Sequence, residues 1–211
     1  MKSTPAIAVS GLSKSFGSLK ALRQVNFTVG RGEIFAYLGP NGAGKTTTIR
    51  ILSGLLHRDA GEVNICGADV AKDPVFVKER IGVVPDESNL YPELTCLRNL
   101  EYLGELYGLR RGVRAEKAAE LLSFFDLADR GATPFGALSR GLKRRLTIAA
   151  ALVHDPELVF LDEPTSGLDV PSARALRELI RTINRRGATV FLTTHNPVSY
   201  THLTLPTILR V

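Results

Sequence analysis

Residues 33 to 48 read Glu33-Ile34-Phe35-Ala36-Tyr37-Leu38-Gly39-Pro40-Asn41-Gly42-Ala43-Gly44-Lys45-Thr46-Thr47-Thr48. Glu33 to Leu38 is a short apolar run that follows the turn signal Gly30-Arg31-Gly32, which predicts a strand. A helix is predicted from about Lys45 to Leu55. Between them, Gly39 to Thr46 has the spacing G-x-x-x-x-G-K-[ST]. Glycines in such a loop let backbone N–H groups turn inward around phosphate oxygens, and the helix N-terminus adds a positive dipole. Lys45 supplies a point charge for β- and γ-phosphates, and the Thr46 hydroxyl suits Mg²⁺. The bland alternative is a glycine-rich turn with a surface lysine; a strand before the loop and a helix after it argue against that.

Outward from this loop, Ile7-Ala8-Val9, Val25 to Val29 and Glu62 to Ile65 read as strands. From Thr95 to Val153 the period is helical. Leu97, Leu100 and Leu103 form one face continued by Leu106 and Tyr107, and Ala118, Leu121, Leu122 and Phe125 form a second. Ser139 is placed to cap a third helix carrying Leu142, Leu146, Ala149 and Leu152, which stops at His154-Asp155-Pro156. Leu158 to Leu161 is apolar without alternation, as in a buried parallel strand, and ends in Asp162-Glu163-Pro164. Leu176, Leu179, Ile180 and Ile183 predict a helix ending near Gly187, and Ala188 to Thr193 another buried strand ending in His195. Polar residues at strand C-termini, with helices between the strands, predict an α/β fold with a doubly wound, mainly parallel sheet. An antiparallel β part precedes it. A helical subdomain, 95–154, is inserted between two parts of a catalytic core, 1–94 and 155–196.

The 211 residues carry a net charge of +6, with 44% hydrophobic and 23% charged residues, which is ordinary for one globular domain. Cys66 and Cys96 have neither metal-ligand nor disulfide spacing and are read as reduced thiols. The basic clusters Arg110, Arg111, Arg114 and Lys143, Arg144, Arg145 lack interleaved aromatics. They are expected to be a solvated or membrane-proximal face rather than a nucleic-acid platform. The apolar stretch Ala6 to Val9 is too short for a signal-peptide core, and Ile148 to Val153 is far below a membrane span. An intracellular chain, soluble by itself, is expected.

Asp162, at the end of a buried strand, can hold Mg²⁺ through water, and Glu163 beside it is placed to orient or deprotonate an attacking water. Two solvated acids at a loop start are the plain alternative. Gly39 to Thr46 and Leu158 to Asp162 resemble Walker A and Walker B. They enclose Leu138-Ser139-Arg140-Gly141-Leu142, which is similar to the ABC signature, usually Leu-Ser-Gly-Gly-Gln. Ser166-Gly167-Leu168-Asp169 resembles the D-loop, His195 after Thr193-Thr194 the switch histidine, and Phe16 before Gly17 the aromatic that stacks on adenine. From about Ile7 to Asn196 the chain is similar to the ABC ATPase family. Each feature alone has a second reading. Phe16 is also a possible core aromatic, Ser139 is a helix cap on any reading, His195 is also a possible packed histidine, and Asp169 a loop acid before a helix starting near Pro171.

The resemblance implies a P-loop NTPase fold and hydrolysis of ATP with Mg²⁺. The catalytic residues would be Lys45, Glu163 and His195. Nucleotide contacts would come from Phe16, Gly39, Pro40, Asn41, Gly42, Ala43, Gly44, Lys45, Thr46, Thr47, Asp86, Ser139, Gly141, Asp162 and Asp169. Thr46, Asp86 and Asp162 would serve the metal. Two such domains, here a homodimer, would pair head to tail, with Ser139 and Gly141 reaching the γ-phosphate held by Lys45 of the partner subunit. A transmembrane permease would supply the only membrane contact, at the cytoplasmic face, and nucleic acid is not an expected partner. Asp86 stands where the family usually has the Q-loop glutamine, and Arg140 and Leu142 replace a glycine and the glutamine of the signature. Leu-Ser-Arg-Gly-Leu-Lys-Arg-Arg and Thr-Thr-His-Asn are similar to ABC-2 drug and polysaccharide exporters. A non-transport ABC ATPase acting on ribosomes or DNA, and a nucleotide-gated subunit without hydrolysis, are the alternatives. Glu87 to Thr95, with Tyr91, Pro92 and Leu94, is expected to form the groove for the permease. The tail 197–211 holds no acidic residue and two prolines. It is expected to be foreign or truncated sequence, too short to supply both a crossover and a further parallel strand.

Overall fold

A computed structural model describes residues 4–195 and 207–210. In chain order the elements are β1 (Ile7–Phe16), β2 (Leu19–Val29), β3 (Ile34–Leu38), α1 (Lys45–Leu52), β4 (Ala60–Ile65), β5 (Ala68–Asp69), α2 (Pro74–Arg80), β6 (Ile81–Val84), α3 (Cys96–Leu106), α4 (Arg111–Phe124), α5 (Arg140–Ala151), β7 (Leu158–Leu161), α6 (Val170–Arg185), β8 (Thr189–Thr194) and β9 (Thr207–Arg210). The period of two along each parallel strand decides how they assemble. Phe35, Tyr37, Phe160 and Phe191 belong to a core shared with Ile7, Leu12 and Val63 of the antiparallel strands and Ile49 and Leu52 of α1. Ala36, Leu38, Val159, Leu161, Val190 and Leu192, one residue out of step, pack with Leu146 and Ile148 of α5 and Leu176 and Ile180 of α6. Both faces of the sheet are covered, which is why its strands are continuously apolar.

The parallel sheet has the order β6-β7-β8-β3-β9, and the antiparallel one β2-β1-β4-β5. Phe160, Phe191 and Phe35 lie in one row across the parallel register. Phe35 stacks on Phe191 at 5.4 Å and on Phe27 of β2 at 5.4 Å, so aromatic contact joins the two sheets. The helix starts follow side-chain caps: Asp73 for α2, Thr95 for α3, Ser139 for α5 and Asp169 for α6.

Several elements differ from the sequence expectation. β1 and β2 extend to a two-residue turn at Gly17-Ser18, well beyond the apolar stretches that announced them. Helix α1 stops at Leu52 because Gly54, at φ 70°, turns the chain and lets Leu55 N–H return to the Arg50 carbonyl. α2 and β6 were not expected; both are short, and β6 contains Gly82. A Cβ at Gly82 would stand 2.3 Å from the Ala151 carbonyl, so glycine is what lets β6 approach the end of α5. β9 corrects the expectation that the tail cannot supply a crossover and a strand. Its four residues pair in parallel with β3, Phe35 with Thr207 through Leu38 with Arg210. The interval 195–206 gives the dozen residues such a connection needs at minimum. The remainder of the tail, 196–206 and 211, lies outside the described residues.

Among the described residues no helix is long and apolar enough to cross a membrane. Cys66 and Cys96 are free and buried, and burial pushes both thiols up.

His154 ties α3 to the sheet. Its ring lies on Tyr107 at 3.6 Å and 6°, its Nε2 meets the Ile81 carbonyl at 3.0 Å, and its buried Nδ1 has no hydrogen-bond partner among the described residues. Burial holds its pKa below the ordinary 6.5, against the opposing pull of the Ile81 carbonyl and Asp155. The folded protein therefore favours the neutral ring. As pH falls below about 6.5 the unfolded chain takes the proton first, and stability falls until the folded ring protonates as well. Urea unfolding at pH 7 and pH 5 is expected to show a larger loss of stability on acidification for the parent than for His154→Phe. Equal losses would contradict this account.

Candidate active site

The phosphate-type loop starts where β3 ends. Gly39 N–H bonds to the Thr194 carbonyl at 3.3 Å, and Ala43 N–H to the Pro40 carbonyl at 3.2 Å. Gly42 and Gly44 both have φ 84°, the left-handed region that glycine takes at no steric cost. At Gly44 a Cβ would stand 2.7 Å from the Ala21 carbonyl and 2.6 Å from a Leu22 methyl, so β2 is packed against the loop. Among the described residues no hydrogen bond uses the N–H of Gly42 or Gly44. Lys45, only 6% exposed, is the first residue of α1. Its Nζ donates to the carbonyls of Gly39 (2.8 Å) and Pro40 (3.0 Å) and stands 3.2 Å from Glu163 Oε1.

The two acids follow β7. Asp162 is buried, and its carboxylate is shared by two hydroxyls: Thr46 donates to Oδ2 at 2.8 Å, and Thr193 donates to Oδ1. The same Thr193 hydroxyl accepts Glu163 N–H at 3.0 Å. Glu163 has φ 44°, strained for a residue with a side chain. Ser166 N–H, donating to the Glu163 carbonyl at 3.0 Å, closes the turn. Glu163 Oε2 meets His195 Nδ1 at 3.0 Å. Oε1 lies close to Lys45 but outside hydrogen-bonding geometry, and is a buried oxygen without a hydrogen-bond donor among the described residues. Thr193 was missed as a functional residue. Its signal was a hydroxyl at the end of the buried run Val190-Phe191-Leu192.

Helix α5 brings a second missed residue. The cluster Lys143, Arg144, Arg145 is not the solvated or membrane-proximal face expected. Arg144 is 8% exposed. Its Nε donates to the Pro164 carbonyl at 3.1 Å, Nη1 to the carbonyls of Pro85 and Asp86, and Nη2 to the Asp162 carbonyl. Arg145 pairs with Asp126 at 3.0 Å, and the Lys143 ammonium lies 5.7 Å from the centre of the Phe135 ring. The physical reason is supply of donors: strand ends at β6 and β7 leave carbonyls that a planar guanidinium can satisfy.

Lys45, Thr46, Asp162, Glu163 and His195 thus meet within one cluster, with the carbonyls of Gly39 and Pro40. The remaining expected residues stand apart from it. Asp86 is exposed, offers its carbonyl to Arg144, and lines a cavity of about 170 Å³ with Glu163, Ser166 and Arg140. Among the described contacts none joins the Asp86 carboxylate to Thr46 or Asp162. Ser139, exposed, caps α5 through Leu142 N–H at 3.4 Å. Gly141 lies against Ser172, where a Cβ would be 3.3 Å from its Oγ. Asp169, exposed, accepts Ser172 N–H at 2.8 Å, and the Ser172 hydroxyl, with that N–H, holds its carboxyl below the usual range. Phe16 is 49% exposed near the tip of the β1–β2 hairpin, with the Lys14 ammonium 5.6 Å from its ring centre. Asn41 is exposed, and Ala43 and Thr47 are half-buried.

These groups fit a Mg²⁺–nucleotide pair by their chemistry. Thr46 Oγ1 and Asp162 Oδ2 are hard oxygen donors that already converge at the base of the loop. Mg²⁺ is commonly held by one or two protein oxygens together with phosphates and waters. No cluster of three or more His, Cys, Asp or Glu suited to a metal occurs among the described residues, as that mode of binding requires none. The free N–H groups of Gly42 and Gly44 and the Lys45 charge suit phosphate oxygens.

A family model described as ABC transporter matches residues 22–166. The chain is 40% identical over 189 residues to a linearmycin resistance ATP-binding protein of Bacillus subtilis, covering 90% of this chain and 61% of that one. It is 40% identical over 193 residues to a Nod factor export ATP-binding protein of Ralstonia nicotianae, covering 92% and 60%. The chain spans about 60% of the length of these curated relatives. Among solved structures it superposes on an ATP-binding subunit of an ABC transporter with a TM-score of 0.85 at 32% identity, covering 99% of this chain and 88% of the other.

The Thr193 hydroxyl gives the site its sharpest mutational test. Thr193→Val keeps the shape but leaves Asp162 Oδ1 and Glu163 N–H without this partner, a loss worth about 1–3 kcal/mol for a buried polar group. A lower urea midpoint is expected, with Thr193→Ser retaining parental stability. A Val variant as stable as the parent would show that the bridge is not needed.

Proposed function

This chain belongs to the ABC transporter family, and we propose that it is the ATP-binding and ATP-hydrolysing subunit of an exporter that works through a separate transmembrane partner. One observation carries the reading: Glu163, next to the end of β7, has one carboxylate oxygen on His195 and the other buried and unbonded beside Lys45. In this reading that oxygen receives the proton of the attacking water. His195 holds the carboxylate in place, and Lys45 with the loop N–H groups offsets charge on the phosphates. Thr46 and Asp162 would hold Mg²⁺, which neutralises phosphate charge when bound.

Residues 1–94 and 155–196 act in this proposal as the catalytic core, and 95–154 as a helical subdomain. Two copies pair head to tail, so that Ser139 and Gly141, at the start of α5, face the γ-phosphate in the other copy, and Phe16 stacks on the base. Asp169 belongs to the same composite interface. Asp86 serves the metal or its water only if its loop moves toward Thr46. The permease would seat on a cavity of about 400 Å³ lined by Leu55, Val83, Pro85, Leu103 and Tyr107. Leu55 and Tyr107 are exposed there, 65% and 44%. Tyr91 is exposed as well, but Leu94 is half-buried, and neither lines this cavity. Export is supported by the names of the resistance and export proteins that the chain resembles, and a place on the cytoplasmic face of the membrane follows from the proposed permease partner.

Lys45→Ala removes a preorganised charge, a class of change that lowers rates on the order of 10²–10³-fold. Phosphate release is expected to fall accordingly, and ATP affinity with it. Glu163→Gln is expected to bind ATP while losing hydrolysis, and to accumulate as a dimer in ATP and Mg²⁺. Parental phosphate release by Lys45→Ala would overturn the assignment. Light scattering that shows only monomer for a folded Glu163→Gln would overturn the composite site.

A further inference from the structure

We propose that Arg144 is a positioning residue that makes the placement of the Glu163 carboxylate depend on where helix α5 stands. The inference rests on the hydrolytic reading of Glu163. Arg144 holds the carbonyls of Asp162 and Pro164, the residues on either side of Glu163. With the same guanidinium it holds the carbonyls of Pro85 and Asp86, in the loop after β6. One buried side chain of α5 therefore joins two loops that come from neighbouring strands of the sheet.

Two close approaches fix the first turn of α5 to the same loop after β7. Gly167, at φ +65°, lies under the Arg140 guanidinium: a Cβ there would be 2.1 Å from Nη2, 2.2 Å from Cζ and 2.3 Å from Nη1. Gly141 lies against Ser172 at the start of α6. Arg144 thus holds the loop at Asp162 and Pro164, on either side of Glu163, and the first turn of α5 lies close to Gly167 of the loop and to Ser172 of α6. Glu163 is itself held in a left-handed conformation, so its carboxylate has little freedom to stay behind if its neighbours shift.

The chemistry of the residue suits this task. A guanidinium presents five donors in a rigid plane and can satisfy carbonyls in several directions, whereas an ammonium is a point charge with three rotatable donors. A displacement of α5 by about an ångström would be carried to both loops, and misplacement of that size costs on the order of 10²-fold in rate. Pro85 also lines the apolar cavity beside β6. Pressure on that cavity would therefore reach Glu163 through the Pro85 carbonyl and Arg144.

The test uses the full chain, with Arg144→Lys and Arg144→Gln compared with the parent, Lys45→Ala, Glu163→Gln and the double variant Glu163→Gln with Arg144→Lys. Hydrogen exchange is read at the loops 84–87 and 162–168, and phosphate release and nucleotide affinity are measured on the same samples. Both Arg144 variants are expected to speed exchange in the two loops together. Hydrolysis should fall on the order of 10²-fold with nucleotide affinity within about twofold of the parent. In the Glu163→Gln background Arg144→Lys should cost nothing further. Loosening of one loop without the other, parental exchange in both variants, or an equal fold-loss with and without Glu163 would overturn the proposal. Parental phosphate release by Lys45→Ala would instead overturn the hydrolytic reading, while the exchange result still decides whether Arg144 joins the loops.

Discussion

Everything at the site hangs on one buried carboxylate. Asp162 is 3% exposed, and a charge so placed is costly unless its lone pairs are met. They are met by hydroxyls from two other elements, Thr46 on α1 and Thr193 on β8. The Thr46 contact sets how the start of α1, and so Lys45, stands relative to β7. The Thr193 contact, continued to Glu163 N–H, sets the turn that carries Glu163. Remove the carboxylate, and the start of α1 and the turn of Glu163 lose the contact that ties both to the end of β7.

The sheet makes this meeting possible. β3, β7 and β8 are adjacent and parallel, and their registers bring Leu38, Leu161 and Thr194 to the same end. A parallel sheet delivers every strand C-terminus to one edge, where loops are free to carry polar groups. The strands can lie so deep because period-two apolar residues cover both faces, and the Phe35–Phe191–Phe160 row shows how closely the layers are matched. Stability and site geometry are therefore the same fact seen from the middle and from the end of the strands.

Legibility in the sequence followed the strength of local chemistry. The spacing from Gly39 to Thr46 announced a loop between β3 and α1, because glycine at 42 and 44 is needed for φ 84°. The unbroken apolar run 158–161 announced β7, because only a strand covered on both faces is so composed. β6 escaped notice: it is four residues long, and Gly82 is there for contact with Ala151, a tertiary requirement that leaves no periodic trace. Thr193 and Arg144 escaped for a related reason. A hydroxyl in an apolar run and one arginine in a basic triplet acquire meaning only when strand ends from far along the chain supply their partners. The β9 pairing was likewise hidden, since a short strand on β3 depends on reach rather than on composition.

The departures from the family's usual residues show how substitution is absorbed. Asp86 enters the described structure through its carbonyl, which any residue would offer to Arg144, and the residue is otherwise exposed. Arg140, where glycine is usual, lays its guanidinium over Gly167 of the facing loop. In the first case the backbone does what the fold requires and the side chain is released from it. In the second, a long side chain at the start of α5 lies over a glycine that the D-loop pattern already supplies. Asp86 and Arg140 line one cavity with Glu163 and Ser166, on the surface that α5 and the loop after β7 share.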